Sequence, residues 1–156
     1  IIEDEIQVSG PNVMLGYWNN EAETKKVLVK RDNKIWYKTG DSGYIENDFL
    51  FYNGRINDNY KLSNGKFVNV AHVESIVKKY VKCNCLVFTQ DNINNELITN
   101  VPINDEKLNL INRKLNNYLK IKKIHVLEDK EWEPYYTPKM SVKRKELIHN
   151  NILNQD

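Results

Sequence analysis

The sequence predicts an α+β fold, a small mixed or antiparallel sheet with covering helices, preceded by short β-strands. Three observations point there. Short runs such as residues 5–9 and 49–52 are strand-like and bounded by turn residues. Residues 71–80 and 105–119 instead repeat apolar side chains at helical spacing. The two kinds of segment follow one another without the regular βαβ alternation that an all-parallel sheet needs.

In chain order, residues 5–9 alternate polar and apolar like a half-buried strand, and Gly10-Pro11 stops it. Asn20 with Glu23 three positions on forms a helix start, and the helix is expected to run through about Val29. Arg31-Asp32-Asn33 is a turn. Residues 36–53 supply two or three short strands, with Glu46-Asn47-Asp48 as a polar turn. A short polar link, Ile56-Asn57-Asp58-Asn59, separates two patterned regions, as a surface turn or an interdomain hinge would. Beyond it, Tyr60-Lys61-Leu62 and Lys66-Phe67-Val68 flank Asn64-Gly65, a strong hairpin signal.

Val73, Ile76, Val77 and Tyr80 then line one face of a helix over 71–80. Strands at 86–88 and 97–99 surround a turn at 91–95, and a helix over 105–119 carries Leu108, Ile111, Leu115 and Leu119 on one face. A strand at 124–127, a loop over 132–142 anchored by Trp132, Tyr135 and Tyr136, and a last helix through about His149 complete the reading.

Bulk properties exclude several classes. A net charge of +2 is too small to demand nucleic acid or an acidic membrane as partner. With 40% hydrophobic residues the chain has no apolar run long enough to span a bilayer. The first residue, Ile1, is not Met, which suggests a piece of something longer, and it opens no signal or transit pattern. Cys83 and Cys85 are expected to be reduced structural thiols, favouring an intracellular compartment. His72, His125 and His149 lack metal-ligand spacing.

The densest set of motifs lies in residues 36–74. Tyr37-Lys38-Thr39-Gly40-Asp41 is followed by Gly54-Arg55-Ile56-Asn57-Asp58, then Lys61 and Gly65. On spacing alone Asp41 and Arg55 read either as a surface ion pair or as a ligand grip, because turns present side chains. Gly10-Pro11-Asn12-Val13-Met14 with Gly16-Tyr17 stands upstream, and Tyr136-Thr137-Pro138 with Lys143-Arg144 downstream.

This ordered set resembles the carboxyl-terminal part of adenylate-forming enzymes, in particular long-chain fatty acyl-CoA synthetases, over nearly the whole chain. The resemblance implies that residues 1–56 end the large adenylation domain and residues 57–156 form the small mobile one, with Asn57 at the hinge. It also implies that Asp41 and Arg55 bind ATP, and that Lys61 serves the second half-reaction, attack of the CoA thiol on the acyl adenylate. ATP, CoA and Mg2+ are the implied cofactors, Mg2+ being held mainly by the upstream domain, and a fatty acid is the implied substrate. The implied location is cytoplasmic, or peripheral on an internal membrane.

Three positions depart from the family's pattern. Lys66 stands for a usual Glu and Val70 for a usual Pro. Without a gap, Ser141 falls where the adenylating lysine belongs, so Lys143 is the catalytic candidate, with Lys139 as another substitute. Ser141 also fits a degenerate, non-catalytic relative with a regulatory or scaffolding role. A free-standing binding module remains a third reading; its mark would be a self-contained core that includes residues 1–56.

Overall fold

The computed structural model describes residues 1–153. The last three residues of the expected small domain, Asn154 to Asp156, lie outside them. The chain forms two compact units, Ile1–Asn59 and the part from Tyr60 onward. The division follows a single 3-10 turn, Ile56–Asp58, closed by the Asn59 N–H donating to the Ile56 carbonyl at 3.2 Å.

The first unit is an antiparallel sheet built on one long strand. Its elements are β1 (Glu5–Ser9), helix α1 (Glu21–Val27), β2 (Leu28–Arg31), β3 (Lys34–Glu46) and β4 (Phe49–Arg55). β3 runs between β1 and β2 at its start and pairs with β4 along its second half. The 13-residue β3 replaces the two or three short strands expected, because the glycines that look like breaks are absorbed within it. Gly40, at φ +72°, and a register shift between Asp41 and Gly43 kink the strand without ending it. At Gly43 a β-carbon would stand 2.6 Å from the Phe51 carbonyl oxygen, so β4 can approach only a glycine.

The helix opens as expected, the Asn20 side chain accepting from the Glu23 N–H at 3.1 Å. It closes at Val27, two residues early. The β-branched Val27 and Val29 favour extension, and the hairpin turn at Asp32 (φ 50°) and Asn33 (φ 59°) supplies β3 as a partner for Leu28–Arg31. Asn47 and Asp48 (φ 49° and 64°) turn β3 into β4 in the same way. No apolar side chain of this unit is buried; the buried apolar residues among those described start at Leu62.

The second unit carries the core. Strands β5 (Tyr60–Lys61) and β6 (Phe67–Val68) form a small hairpin, followed by α2 (Val70–Tyr80), whose Asn69 side chain caps the His72 N–H at 2.9 Å. Next come β7 (Cys85–Phe88), β8 (Asn95–Thr99), α3 (Asp105–Arg113) and β9 (Ile121–Val126). β8 is central, antiparallel to β7 and parallel to β9, so the sheet is mixed as the sequence predicts. All five β8 residues are buried, since both faces are covered. On one face Val87 and Leu97 join Val73, Val77, Ile111 and Ile121; on the other, Leu86, Phe88 and Ile98 pack with Trp132 and Leu147.

Three boundaries differ from expectation. The helix over 105–119 stops at Arg113 and yields to a 3-10 turn, Asn117–Leu119, because Asn112 turns to hold the start of β9. Its side chain donates to the Ile121 carbonyl and accepts from the Ile121 N–H, both at 2.9 Å. For the same reason β9 begins at Ile121 and not at 124. The expected loop over 132–142 contains structure: α4 (Asp129–Trp132), capped reciprocally by Glu128 and Glu131, and a 3-10 turn, Glu133–Tyr135. Trp132 ends that helix 1% exposed, its indole N–H on the Leu127 carbonyl at 3.1 Å, which makes it the anchor expected. Helix α5 (Arg144–Ile148) passes into a π-turn, His149–Leu153. No helix among the described residues is long and apolar enough to cross a membrane.

Candidate nucleotide-binding site

Asp41 and Arg55 meet across β3 and β4, as direct partners in the strand register. The Arg55 Nη1 donates to Asp41 Oδ1 at 2.7 Å and to the Thr39 carbonyl at 2.9 Å. One guanidinium nitrogen thus serves both acceptors, leaving the other donors of the planar fork available. Asp41's hydrogen bond holds the Arg55 pKa above its ordinary value. Burial, then the Asp41 charge, raises the neighbouring Tyr52 phenol.

Gly40 makes this arrangement fit. The Arg55 guanidinium carbon lies 3.8 Å from where a Gly40 β-carbon would stand, and the positive φ there suits glycine. The kink is locked from below: Gly40 N–H donates to Glu5 Oε1 at 2.9 Å, and the Thr39 hydroxyl donates to the Ile6 carbonyl at 2.7 Å while accepting from the Asp41 N–H at 3.0 Å.

Arg55 with Thr39, Gly40, Ile56 and Asn57 lines an open cleft of about 460 Å³ within the first unit, whose lining also includes Glu5, Tyr17 and Tyr37. Asp41 does not line it. A hydrogen bond to Tyr37 pushes the Tyr17 phenol up. The sequence motifs contained Gly16-Tyr17 and Tyr37 without showing that Tyr17 and Tyr37 line one cleft.

In the second unit, Lys61 is exposed on β5 opposite Phe67. Gly65 (φ +81°) lies at the loop's turn, where its N–H donates to the Leu62 carbonyl at 2.9 Å, and the Lys61 stem passes 4.0 Å from a β-carbon placed there. The segment holding Ser141 is a closed loop. The Thr137 and Ser141 hydroxyls are 2.7 Å apart, the Thr137 N–H donates to the Ser141 carbonyl at 2.8 Å, and Tyr136 bridges to Val142. Lys139 is exposed on it, and Lys143 reaches Glu146 at 3.1 Å.

Arg144, grouped in the sequence with its lysine neighbours, does something they do not. It pairs with Glu74 at 2.8 Å and donates to the Val87 carbonyl at 2.9 Å, while Glu74 accepts from the Val87 N–H at 2.8 Å. Glu74 carried no sequence signal, since a lone acid on a helix reads as solvated.

No family model matches the chain. D-alanine–D-alanyl carrier protein ligase of Bacillus mycoides is 48% identical over 58 residues, 37% of this chain and 12% of that ligase. O-succinylbenzoate coenzyme A synthetase from Bacillus subtilis, solved with ATP and magnesium ion, is 25% identical over 92% of this chain and 30% of its own, with a TM-score of 0.68. The carboxylic acid reductase didomain from Segniliparus rugosus, in complex with AMP, is 17% identical over 94% of this chain and 23% of its own, with a TM-score of 0.76. The chain therefore spans about an eighth of that curated relative and under a third of those structures. The relatives are adenylate-forming enzymes, and what this chain shares with them is the fold of their carboxyl-terminal region.

Proposed function

We propose that the chain is a carboxyl-terminal piece of an ATP-dependent ligase. Residues 1–56 would close its large adenylation domain and residues 57–156 would form its small mobile one. The observation that carries this reading is the Asp41–Arg55 pair, in register at 2.7 Å beside a cleft, with guanidinium donors to spare. Charge-assisted hydrogen bonds of this kind contribute about 1.5–3 kcal/mol each. A carboxylate accepts from ribose hydroxyls, and the guanidinium fork meets the sugar or a phosphate. The bare apolar surface of the first unit supports the same reading. Phe49, Leu50, Phe51 and Tyr52 are 71%, 55%, 41% and 62% exposed on successive strand positions, so both faces of β4 need cover from elsewhere. A free-standing module would bury that surface itself.

In the first half-reaction the substrate carboxylate attacks the α-phosphate of ATP, pyrophosphate leaves, and an acyl adenylate forms. Lys143 is the proposed cation for the charge that develops there. In the second, a thiol attacks the acyl carbonyl, AMP leaves, and a thioester forms, with Lys61 brought to the site by rotation about Asn57. Mg2+ accompanies ATP in such chemistry, with ligands on this reading upstream of Ile1.

The motif resemblance makes a long-chain fatty acid the proposed acid and CoA the proposed thiol. Pyrophosphate exchange by the full-length protein tests the ligase reading and the acid. Exchange with a fatty acid supports the proposed acid, and release of AMP with acyl-CoA on adding CoA supports the proposed thiol; exchange with D-alanine or O-succinylbenzoate in its place keeps the ligase and replaces the acid.

Ser141 favours a second reading, a non-catalytic relative. Its hydroxyl is engaged by Thr137, and a serine supplies no cation. Absence of exchange with every acid tried, in a folded protein that binds ATP, selects that reading.

A further inference from the structure

Three residues of β3 stand opposite one of β1. Gln7 faces Lys38 and Glu5 faces Ser42, so Thr39, Gly40 and Asp41 bulge out across from Ile6 alone. A bulge takes its N–H groups out of the ladder. The Gly40 N–H finds its acceptor in a side chain instead, Glu5 Oε1 at 2.9 Å.

Glu5 is 8% exposed, and among the described residues no other polar side chain of the first unit is buried. A buried carboxylate is costly unless donors meet it. Donors are what the chain supplies: beside the Gly40 N–H, the Gln7 amide reaches Oε2 at 3.1 Å and the Lys38 ammonium stands 3.7 Å from the same oxygen. Aimed this way, Gln7 leaves its own amide oxygen buried without a partner among the described residues. The Glu5 backbone is fixed as well, exchanging hydrogen bonds with Ile2 at 2.9 and 3.0 Å across the turn at Glu3 and Asp4.

The Gly40 N–H and the Thr39 carbonyl belong to one planar trans peptide and point in opposite directions. Fixing the N–H on Glu5 therefore aims the carbonyl, and that carbonyl accepts from Arg55 Nη1 at 2.9 Å. The next peptide leads into Asp41, whose carboxylate accepts from the same nitrogen. We propose that Glu5 is a positioning residue for ATP: acting through the Thr39–Gly40 peptide, it sets the direction of the Arg55 guanidinium that meets the nucleotide. The inference rests on the ligase reading and deepens it by naming what holds the grip in shape. Glu5 lines the same cleft as Arg55, as does Lys38, whose ammonium offsets the carboxylate's charge there.

Calorimetric titration of the full-length protein with ATP tests it, because two conservative variants separate reach from charge. Glu5→Gln loses the charge but keeps an oxygen at the Gly40 N–H, and Gln7 can turn its unpartnered oxygen to the new amide; binding should stay within about threefold of wild type. Glu5→Asp keeps the charge but withdraws the acceptor by one methylene; ATP should bind at least about tenfold more weakly, as loss of one charge-assisted contact implies. In an Arg55→Ala background Glu5→Asp should cost nothing further, since the effect runs through the guanidinium. The reverse order, wild-type affinity in both variants, or an equal loss without Arg55 would each overturn the proposal. A fall in unfolding temperature alone, with affinity kept, would make Glu5 a structural carboxylate. The outcome is separable from the ligase reading. ATP binding that Asp41→Asn weakens and Glu5→Asp does not removes the role of Glu5 and keeps the ligase. No ATP binding by the wild type removes both.

Discussion

At the scale of single residues, the strongest consequence concerns Asp41 and Arg55. If the pair grips a nucleotide, Asp41→Asn in the full-length protein should raise the KM for ATP with little change in thermal stability, because the pair is half exposed and worth little to the fold. A stability loss with unchanged ATP kinetics would make it a structural ion pair. At Ser141, restoring a cation where the resemblance expects one should raise pyrophosphate exchange, by up to about 100- to 1,000-fold if the transition-state contact is fully regained. No gain from Ser141→Lys, with exchange abolished in Lys143→Ala, would show that the charge has moved two residues along the loop.

Asp91 makes a prediction of a different kind. Backbone N–H groups of Asn94 and Ile93, then the Asn94 side chain, hold its pKa at about 2. The ordinary value is about 3.9, so its contribution is complete above that pH and is lost as pH falls through about 2. Asp91→Asn should therefore flatten the acid limb of the stability curve between those values, measured by denaturant midpoints.

At the scale of elements, the Glu74–Arg144 pair joins α2, β7 and α5 through Val87, with side chains only 12% and 16% exposed. Arg144→Ala leaves Glu74 without its charge partner in a largely dry place and should cost about 3 kcal/mol in urea unfolding. Arg144→Lys should recover part of that, keeping the charge and losing the fork. A loss under about 0.5 kcal/mol would mean that the Val87 N–H alone satisfies Glu74. The neighbouring Lys143 and Lys145 are exposed, and their removal should leave the midpoint where it is.

At the scale of the molecule, the two units are unequal. Residues from Tyr60 onward hold every buried apolar side chain among those described, while the first unit relies on strand pairing around β3. Hydrogen exchange should accordingly protect β7 and β8 far longer than β1 or β4. Leu15, Trp18, Phe49 and Leu50 remain exposed, so the chain should self-associate as concentration rises, and Phe49→Lys with Leu50→Lys should suppress this in sedimentation. Lacking the acyl pocket that the ligase reading puts upstream, the chain alone should form no acyl-CoA from fatty acid, ATP and CoA.

Local chemistry made the helix cap at Asn20, the turn at Asn64-Gly65, the polar link at 56–59 and the α+β class legible, because each rests on neighbours a few residues apart. The ordered motifs likewise marked Asp41 and Arg55. Tertiary structure alone decided that Gly40 and Gly43 bend one strand instead of separating several, since that depends on Arg55, Phe51 and Ile6 arriving from elsewhere. It alone set Arg144 apart from Lys143 and Lys145, and put the Glu5 carboxylate against the Gly40 N–H. Charge at a position is written in the sequence; whether that charge is desolvated, paired or aimed at a backbone group depends on atoms far along the chain.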